Sequence, residues 1–519
     1  MNKKKYLLII TTILFVFLVL AGCRNENKPG LTEVSFGIKS GQSQEILSER
    51  IGSEGGKILV KQDSTLSGME IQILEGSYPQ DISFTITSSE ILDHDFGTLF
   101  NPMTPLISVE NGEVYAENTL FVTVPLKKEA NEIAAGFYYN NDTHSLEGIP
   151  SVYQDQEKII LATNHFSNIV VSSASKDNID KAGDALTGFE PGTDDFIFKN
   201  YGSFITPVGH CSGQSVSMLW YYKNIKLKGG ENLFGLLDDN GEDPTPDFQF
   251  DDTLLYRFVS TVHMDANNNN HEFSEEYCNR AADMATVLTT NSQDELQFYA
   301  MKYAMLLVKR PQLVIIFGSN SEGKKSGHAV VAYKIEGNKI YIADPNYPGQ
   351  KDRTITIDSG SFSVYNSGDN ATAVAEGKEI AYKDIFWSGE FAITNEEKIT
   401  ERWQEVERKD LGNDLFPYPE IEIIGGVNQI QKSLEFSVTL PPEIGAELQV
   451  RLYLDKNNTI DLPYYIYRSS FMGNSVQNIF RTEDIFKEGK IPSASIFTIV
   501  TMNGMTFNGL TSMLTAHLN

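Results

Sequence analysis

A cysteine, a histidine and an aspartate in the middle of this chain have the types and surroundings that acyl-transfer chemistry needs. Cys211 stands in the run Gly209-His210-Cys211-Ser212-Gly213-Gln214. After it, Val216, Leu219 and Trp220 repeat at helical spacing. The pattern predicts a buried helix that begins at or just after Cys211 and stops near Gly229-Gly230. Unpaired N–H groups at a helix start form a positive end that favours thiolate over thiol. Small Ser212 and Gly213 leave room there for a substrate backbone. A nucleophilic cysteine needs that placement.

The base for such a nucleophile must sit on something stiff, with an acceptor to fix its tautomer. Gln312 to Phe317 reads as a buried strand, and a polar Gly/Ser/Lys loop follows it. Gly327-His328-Ala329-Val330-Val331-Ala332-Tyr333 then leads to the turn Glu336-Gly337-Asn338, and Lys339 to Ala343 returns. His328 opens one strand of this hairpin and Asp344 closes the other. A simple register leaves the two a few residues out of step, so twist or a bulge must bring them together. Asn346, two residues on, is the other side chain able to orient the histidine.

From His328 to Pro345 the sequence resembles the His-to-Asp-Pro hairpin of the bacteriocin-processing, double-glycine peptidases of the papain-like clan, with the same separation of 16 residues. The Gly-Xaa-Cys-Xaa-Gly helix start resembles the wider clan. The resemblance covers about 150 residues. It implies an α+β papain-like cysteine peptidase domain, with Cys211 as nucleophile, His328 as general base and Asp344 as orienting acid. One position departs from that pattern. The glutamine that those peptidases carry six residues before the cysteine, as a donor to the oxyanion, is Ile205 here. Asn200, Ser203 and Gln214 are the polar residues able to replace it, beside the Cys211 N–H itself.

The elements that must hold these residues belong to a long chain of 519 residues, about three domains' worth. Against 42 Lys and Arg stand 69 Asp and Glu, a formal charge of −27, which excludes a general nucleic-acid binder. Three cysteines exclude a disulfide scaffold and a Cys-rich zinc site. Residues 46–173 alternate in short apolar runs punctuated by turns and predict an antiparallel β-sandwich. Their opening Gly55-Gly56 and closing His165-Phe166-Ser167 resemble the ZU-type β domain, which usually docks or holds other domains. Residues 174–192 read as a linker, 193–400 as the peptidase domain, and 416–519 as a second sandwich. The fold class expected is thus multidomain, an α+β papain-like domain flanked by two all-β sandwiches. Asp265 to Glu276 has the outer spacing of a calcium loop but lacks its sixth-place glycine, so a solvated polar loop is the better reading. No phosphate-cradling loop and no His-Glu-Xaa-Xaa-His occurs, and no cofactor or metal is expected.

At the other end, Lys3, Lys4 and Lys5 precede an apolar run from Tyr6 to Ala21, closed by Gly22-Cys23. This resembles the bacterial lipoprotein signal, which implies removal of residues 1–22, acylation of Cys23 and a tether over 23–45. The expected protein is a cysteine peptidase held by lipid on the extracytoplasmic face of the cell membrane, acting on a peptide or protein substrate. The alternative is an inactive papain-like surface lipoprotein serving as a binding or adhesion module. Intact mass should find a mature chain that starts at an acylated Cys23 and sediments with membranes, and Cys23→Ser should release the chain or leave it unprocessed. An unacylated chain cut elsewhere would refute the anchor.

Overall fold

The computed structural model describes residues 35–61, 64–203, 205–206, 208–237, 253–265, 293–319, 323, 325–408, 411 and 415, and strand backbone between 420 and 516. The protein is mostly β, with few helices and several antiparallel sheets. Cys23, Cys278 and most of 265–276 lie outside the described residues. Among the described residues no helix is long and apolar enough to cross a membrane.

Two sheets face each other between residues 44 and 175, one of six strands and one of five. Strand Ile82–Ser89 alternates buried and more exposed residues, as a strand with one dry face must. Its Phe84 and Ile86 meet Ile71, Leu120, Val122 and Leu161 of the opposite sheet in a shared core. Strand Glu132–Asn140 behaves differently: every residue from Ile133 to Tyr139 is buried. Ala134 and Tyr138 point into the sandwich. Ile133, Ala135 and Phe137 point outward, against a helix of the next part of the chain.

That part is built on an antiparallel sheet. Its helices are α1 (Cys211–Asn224), α2 (Thr253–Asp265), α3 (Gln293–Val308), α4 (Ala371–Ala375) and α5 (Glu396–Arg408). Its strands are β1 (Gln312–Ser319), β2 (Lys325–Glu336), β3 (Lys339–Ala343), β4 (Thr354–Asp358), β5 (Ser361–Phe362), β6 (Tyr365–Ser367) and β7 (Ile380–Gly389), in the spatial order β5-β4-β3-β2-β1-β7-β6. Both faces of the central strands are covered. Leu313, Ala329 and Val331 pack with Val216 and Leu219 of α1, while Val314, Ile316 and Val330 pack with Met301, Ala304 and Met305 of α3. A strand covered twice must be apolar throughout, which is why β1 reads Leu-Val-Ile-Ile-Phe.

Helix α1 is buried continuously from Gly213 to Tyr222. Its helical course runs on through a 3₁₀ turn, Lys226–Lys228, and ends at Gly229 in the left-handed conformation, φ 88°, where only glycine is unstrained. Gly213 has a reason that the sequence did not suggest. A Cβ there would fall 2.0 Å from the Val259 carbonyl oxygen. The missing side chain admits helix α2, not a substrate backbone. At the far end of α1, Lys223 bonds Glu147 of the sandwich and Glu396 of α5, each at 3.0 Å. A cation is favoured at that helix end.

The stretch 174–192, expected as a linker, is packed structure. It holds the end of a sandwich strand, the short helix Lys176–Lys181, and Ala185–Leu186 paired with β2. Its apolar residues are few but placed: Ile179, Ala185 and Phe189 are all buried. The C-terminal strands form a three-stranded and a four-stranded antiparallel sheet.

One hydrophobic cluster thus joins the outer face of the sandwich, α3 and the central sheet. Tyr303 lies in it fully buried, with its hydroxyl 3.0 Å from the Leu99 carbonyl and 2.7 Å from Ser172 Oγ. Tyr303→Ala should cost about 3–5 kcal/mol. It should speed amide hydrogen exchange in both Glu132–Asn140 and β1, because the two strands share this core. Faster exchange in one strand alone would mean that they are stabilised separately.

Candidate active site

The hairpin of β2 and β3 carries a bulge. Its register runs Glu336↔Lys339, Ile335↔Ile340, Lys334↔Tyr341, then steps to Ala332↔Ile342 and Val331↔Ala343. Tyr333 is the extra residue. Its carbonyl accepts a hydrogen bond from Thr187 Oγ1 at 2.6 Å, so the oxygen remains satisfied. Side chains alternate faces along a strand, so one added residue changes which face follows. Without the bulge Asp344 would fall level with Val331, on the face opposite His328. With it, Asp344 falls level with Val330, on the same face.

The consequence is direct. His328 Nε2 donates to Asp344 Oδ1 at 2.7 Å, and both side chains are wholly buried. The carboxylate is saturated. Oδ1 also accepts the Asn346 N–H at 2.8 Å, and Oδ2 accepts Tyr365 Oη at 2.6 Å and Ser367 Oγ at 3.0 Å. Burial alone would raise the Asp344 pKa, but the His328 charge and these donors outweigh it and hold it below 3.8. Burial would lower His328, but Asp344 first and Cys211 second reverse this and push it from 6.5 up to about 10. Cys211 lies close enough to the ring to help raise its pKa. The contact falls short of regular geometry, since the buried Nδ1 has no partner at good distance and angle. Such looseness is usual before a substrate arrives.

Cys211 is the first residue of α1 and is partly exposed. His210 caps the helix without a side-chain hydrogen bond to it. Burial, then the neighbouring His263, lower the His210 pKa to about 3, so His210 itself is neutral at neutral pH. Val208, three residues before Cys211, is 62% exposed and forms an apolar rim. Its carbonyl accepts Asn370 Nδ2 at 2.7 Å, which ties the rim to α4.

The polar residues named above as replacements for the glutamine have other partners. Gln214 Nε2 donates to the Phe198 carbonyl at 3.0 Å, and Ser203 Oγ pairs with Thr206 Oγ1 at 2.9 Å. The Asn200 amide donates to Asn346 Oδ1 and the Asp369 carbonyl, each at 3.2 Å. Ile205 is partly exposed and offers no donor. Asn346 does not touch the histidine by its side chain, which instead donates to Ser367 Oγ and the Gly368 carbonyl. Tyr365 and Ser367 went unnoticed in the sequence. Their spacing of two on a short strand, which puts both on one face, was the signal available. Among the described residues no group of three His, Cys, Asp or Glu side chains forms a metal site.

No family model matches the sequence, and no curated protein matches it. Among solved structures the chain is aligned with a transglutaminase from red sea bream at 8% identity, over 79% of this chain and 81% of that one. The TM-score is 0.16, too low to bear on fold or function.

The Asp344–His328 bond sets a pH window. On the histidine side its stabilisation is whole below pH 6.5 and is lost as pH rises through about 10. On the carboxylate side it is present above pH 3.8 and is lost as pH falls through the lowered Asp344 value. Asp344→Asn should lower the His328 titration midpoint, read by NMR, by about 2 pH units or more. Tyr365→Phe, which removes a donor to the carboxylate and not its charge, should not lower it. An unmoved midpoint in Asp344→Asn would show that something else raises the histidine.

Proposed function

We propose that the protein is a cysteine hydrolase of peptide amide bonds, with the α+β core of residues 193–400 papain-like in plan. The observation that supports this best is the buried imidazole whose Nε2 is fixed by Asp344 while Nδ1 is left for Cys211. In this reading the proton already rests on His328 Nδ1, with Cys211 as its thiolate partner, and the thiolate adds to the carbonyl carbon of the substrate. Negative charge gathers on the carbonyl oxygen beside the Cys211 N–H at the start of α1. The intermediate collapses as the carbon–nitrogen bond breaks. The leaving amine carries off the proton from His328, and a thioester remains. Water then attacks the thioester, giving one proton to His328; the carbon–sulfur bond breaks, the carboxylic acid leaves, and the Cys211 thiolate and His328 imidazolium are restored. Asp344 holds the ring and stays ionised throughout.

The sandwich of residues 46–173 and the acylated Cys23 complete the proposal: an enzyme held at the outer face of a cell membrane, with the sandwich as its mount. A second reading has its own support. The side-chain donors near Cys211 are engaged within the protein, and the glutamine position is Ile205. Losing one oxyanion donor typically costs ~100-fold or more in rate. On that basis the same site would serve a binding module with residual or no turnover.

Mass-mapped iodoacetamide labelling of the full chain near neutral pH separates reactive from inert thiols. Cys211 should react faster than Cys278, and His328→Ala should slow Cys211 alone. In a peptide-library digest, Cys211→Ala should lower amide hydrolysis by at least about 1,000-fold. His328-dependent labelling with no hydrolysis of any peptide would favour the binding module. Equal labelling at both cysteines, indifferent to His328, would refute both the pair and the hydrolase.

A further inference from the structure

We propose that Asn200 is a positioning residue that sets Cys211 against the His328–Asp344 pair, an inference that rests on reading Cys211 as the nucleophile. Asn200 is fully buried and makes five hydrogen bonds to three separate segments. Its Oδ1 accepts the His210 N–H at 2.6 Å, immediately before the nucleophile. Its own N–H donates to the Pro345 carbonyl at 3.0 Å, immediately after the orienting acid, and its Nδ2 donates to Asn346 Oδ1 at 3.2 Å. Nδ2 also reaches the Asp369 carbonyl at 3.2 Å, and the Asn200 carbonyl accepts the Ala371 N–H at 2.8 Å.

The site requires one acceptor and two donors on one short planar group. Only an asparagine amide supplies that set at this length. The partners fix its orientation as well. Asn346 Nδ2 is spent on the Gly368 carbonyl, so Asn346 presents its oxygen to Asn200. The approach is close: a Cβ at Gly209 would lie 3.0 Å from Asn200 Oδ1. Gly209 itself sits at φ 155°, a conformation open to glycine. Asn200 therefore does not face the substrate. It spans the loop that ends in the nucleophile and the turn that follows the acid.

The test is the pH profile of Cys211 alkylation in the full chain, mapped by mass spectrometry, beside an NMR reading of the His328 Nε2 proton. The titratable groups around the helix start are His328 from β2, Tyr382 from β7, His210 from the loop and His263 from α2. Asn200 does not titrate, so a changed profile reports geometry. Asn200→Ala should lower Cys211 labelling near neutral pH at least about tenfold and leave it indifferent to a further His328→Ala. The His328 Nε2 proton should stay bonded to Asp344. Asn200→Ser removes the amide without adding a charge and keeps a short polar group, so its rate should fall between the two. This second variant also serves if Asn200→Ala fails to fold. A wild-type profile in both variants, or a loss of melting temperature with no change in profile, overturns the proposal. Wild-type labelling indifferent to His328→Ala would instead remove the nucleophile reading, and this proposal with it.

Discussion

A carboxylate shut away from water governs this site. Asp344 carries its charge in a place where an unpaired ion would cost several kcal/mol. Four donors prevent that, and they come from different parts of the chain: His328 from β2, the Asn346 N–H from the turn after β3, and Tyr365 and Ser367 from β6. Strand β6 is at one edge of the sheet and pairs only with β7 there. Residues at the edge of the sheet thus meet the residue that follows β3, several strands away in the order. The same carboxylate then holds the imidazole charged at neutral pH, the state that a thiolate partner requires.

Around this point the remaining elements act as walls and struts. Helix α1 runs away from the site through a largely apolar bed. Its far end is tied to the sandwich by Lys223 and Glu147. The doubly buried strand Glu132–Asn140 and helix α3 make the sandwich part of the same core as the sheet that bears His328. The two thus share a hydrophobic interior and do not meet only through a flexible joint.

How much of this could be read beforehand differs by residue. Cys211, His328 and Asp344 were legible because local patterns mark them: an apolar helix start, and the two open ends of one hairpin. The mismatch in hairpin register was also legible, and it implied a bulge or twist without locating it at Tyr333. Tyr365, Ser367 and Asn200 were not legible as partners of Asp344 and its turn. They lie apart from it in sequence, and the spacing of two between Tyr365 and Ser367 spans a strand of only three residues, too short to stand out as a period. The stretch 174–192 was obscured for a related reason. Ile179, Ala185 and Phe189 occur singly among Lys, Asp and Gly, although each is buried and Thr187 serves the bulge. Gly213 was assigned to a substrate because helix α2 was not known to lie against it.

The bulge at Tyr333 also constrains how this hairpin can vary in length. One residue added to each of β2 and β3, between bulge and turn, moves the turn outward and leaves Asp344 facing His328. The turn at Gly337-Asn338 can grow without touching the pairing at all. One residue gained or lost in a single paired strand, however, turns the acid to the opposite face of the sheet. Insertions within the paired strands are therefore tolerated in matched pairs, and the interval of 16 residues between His328 and Asp344 shifts there by even steps.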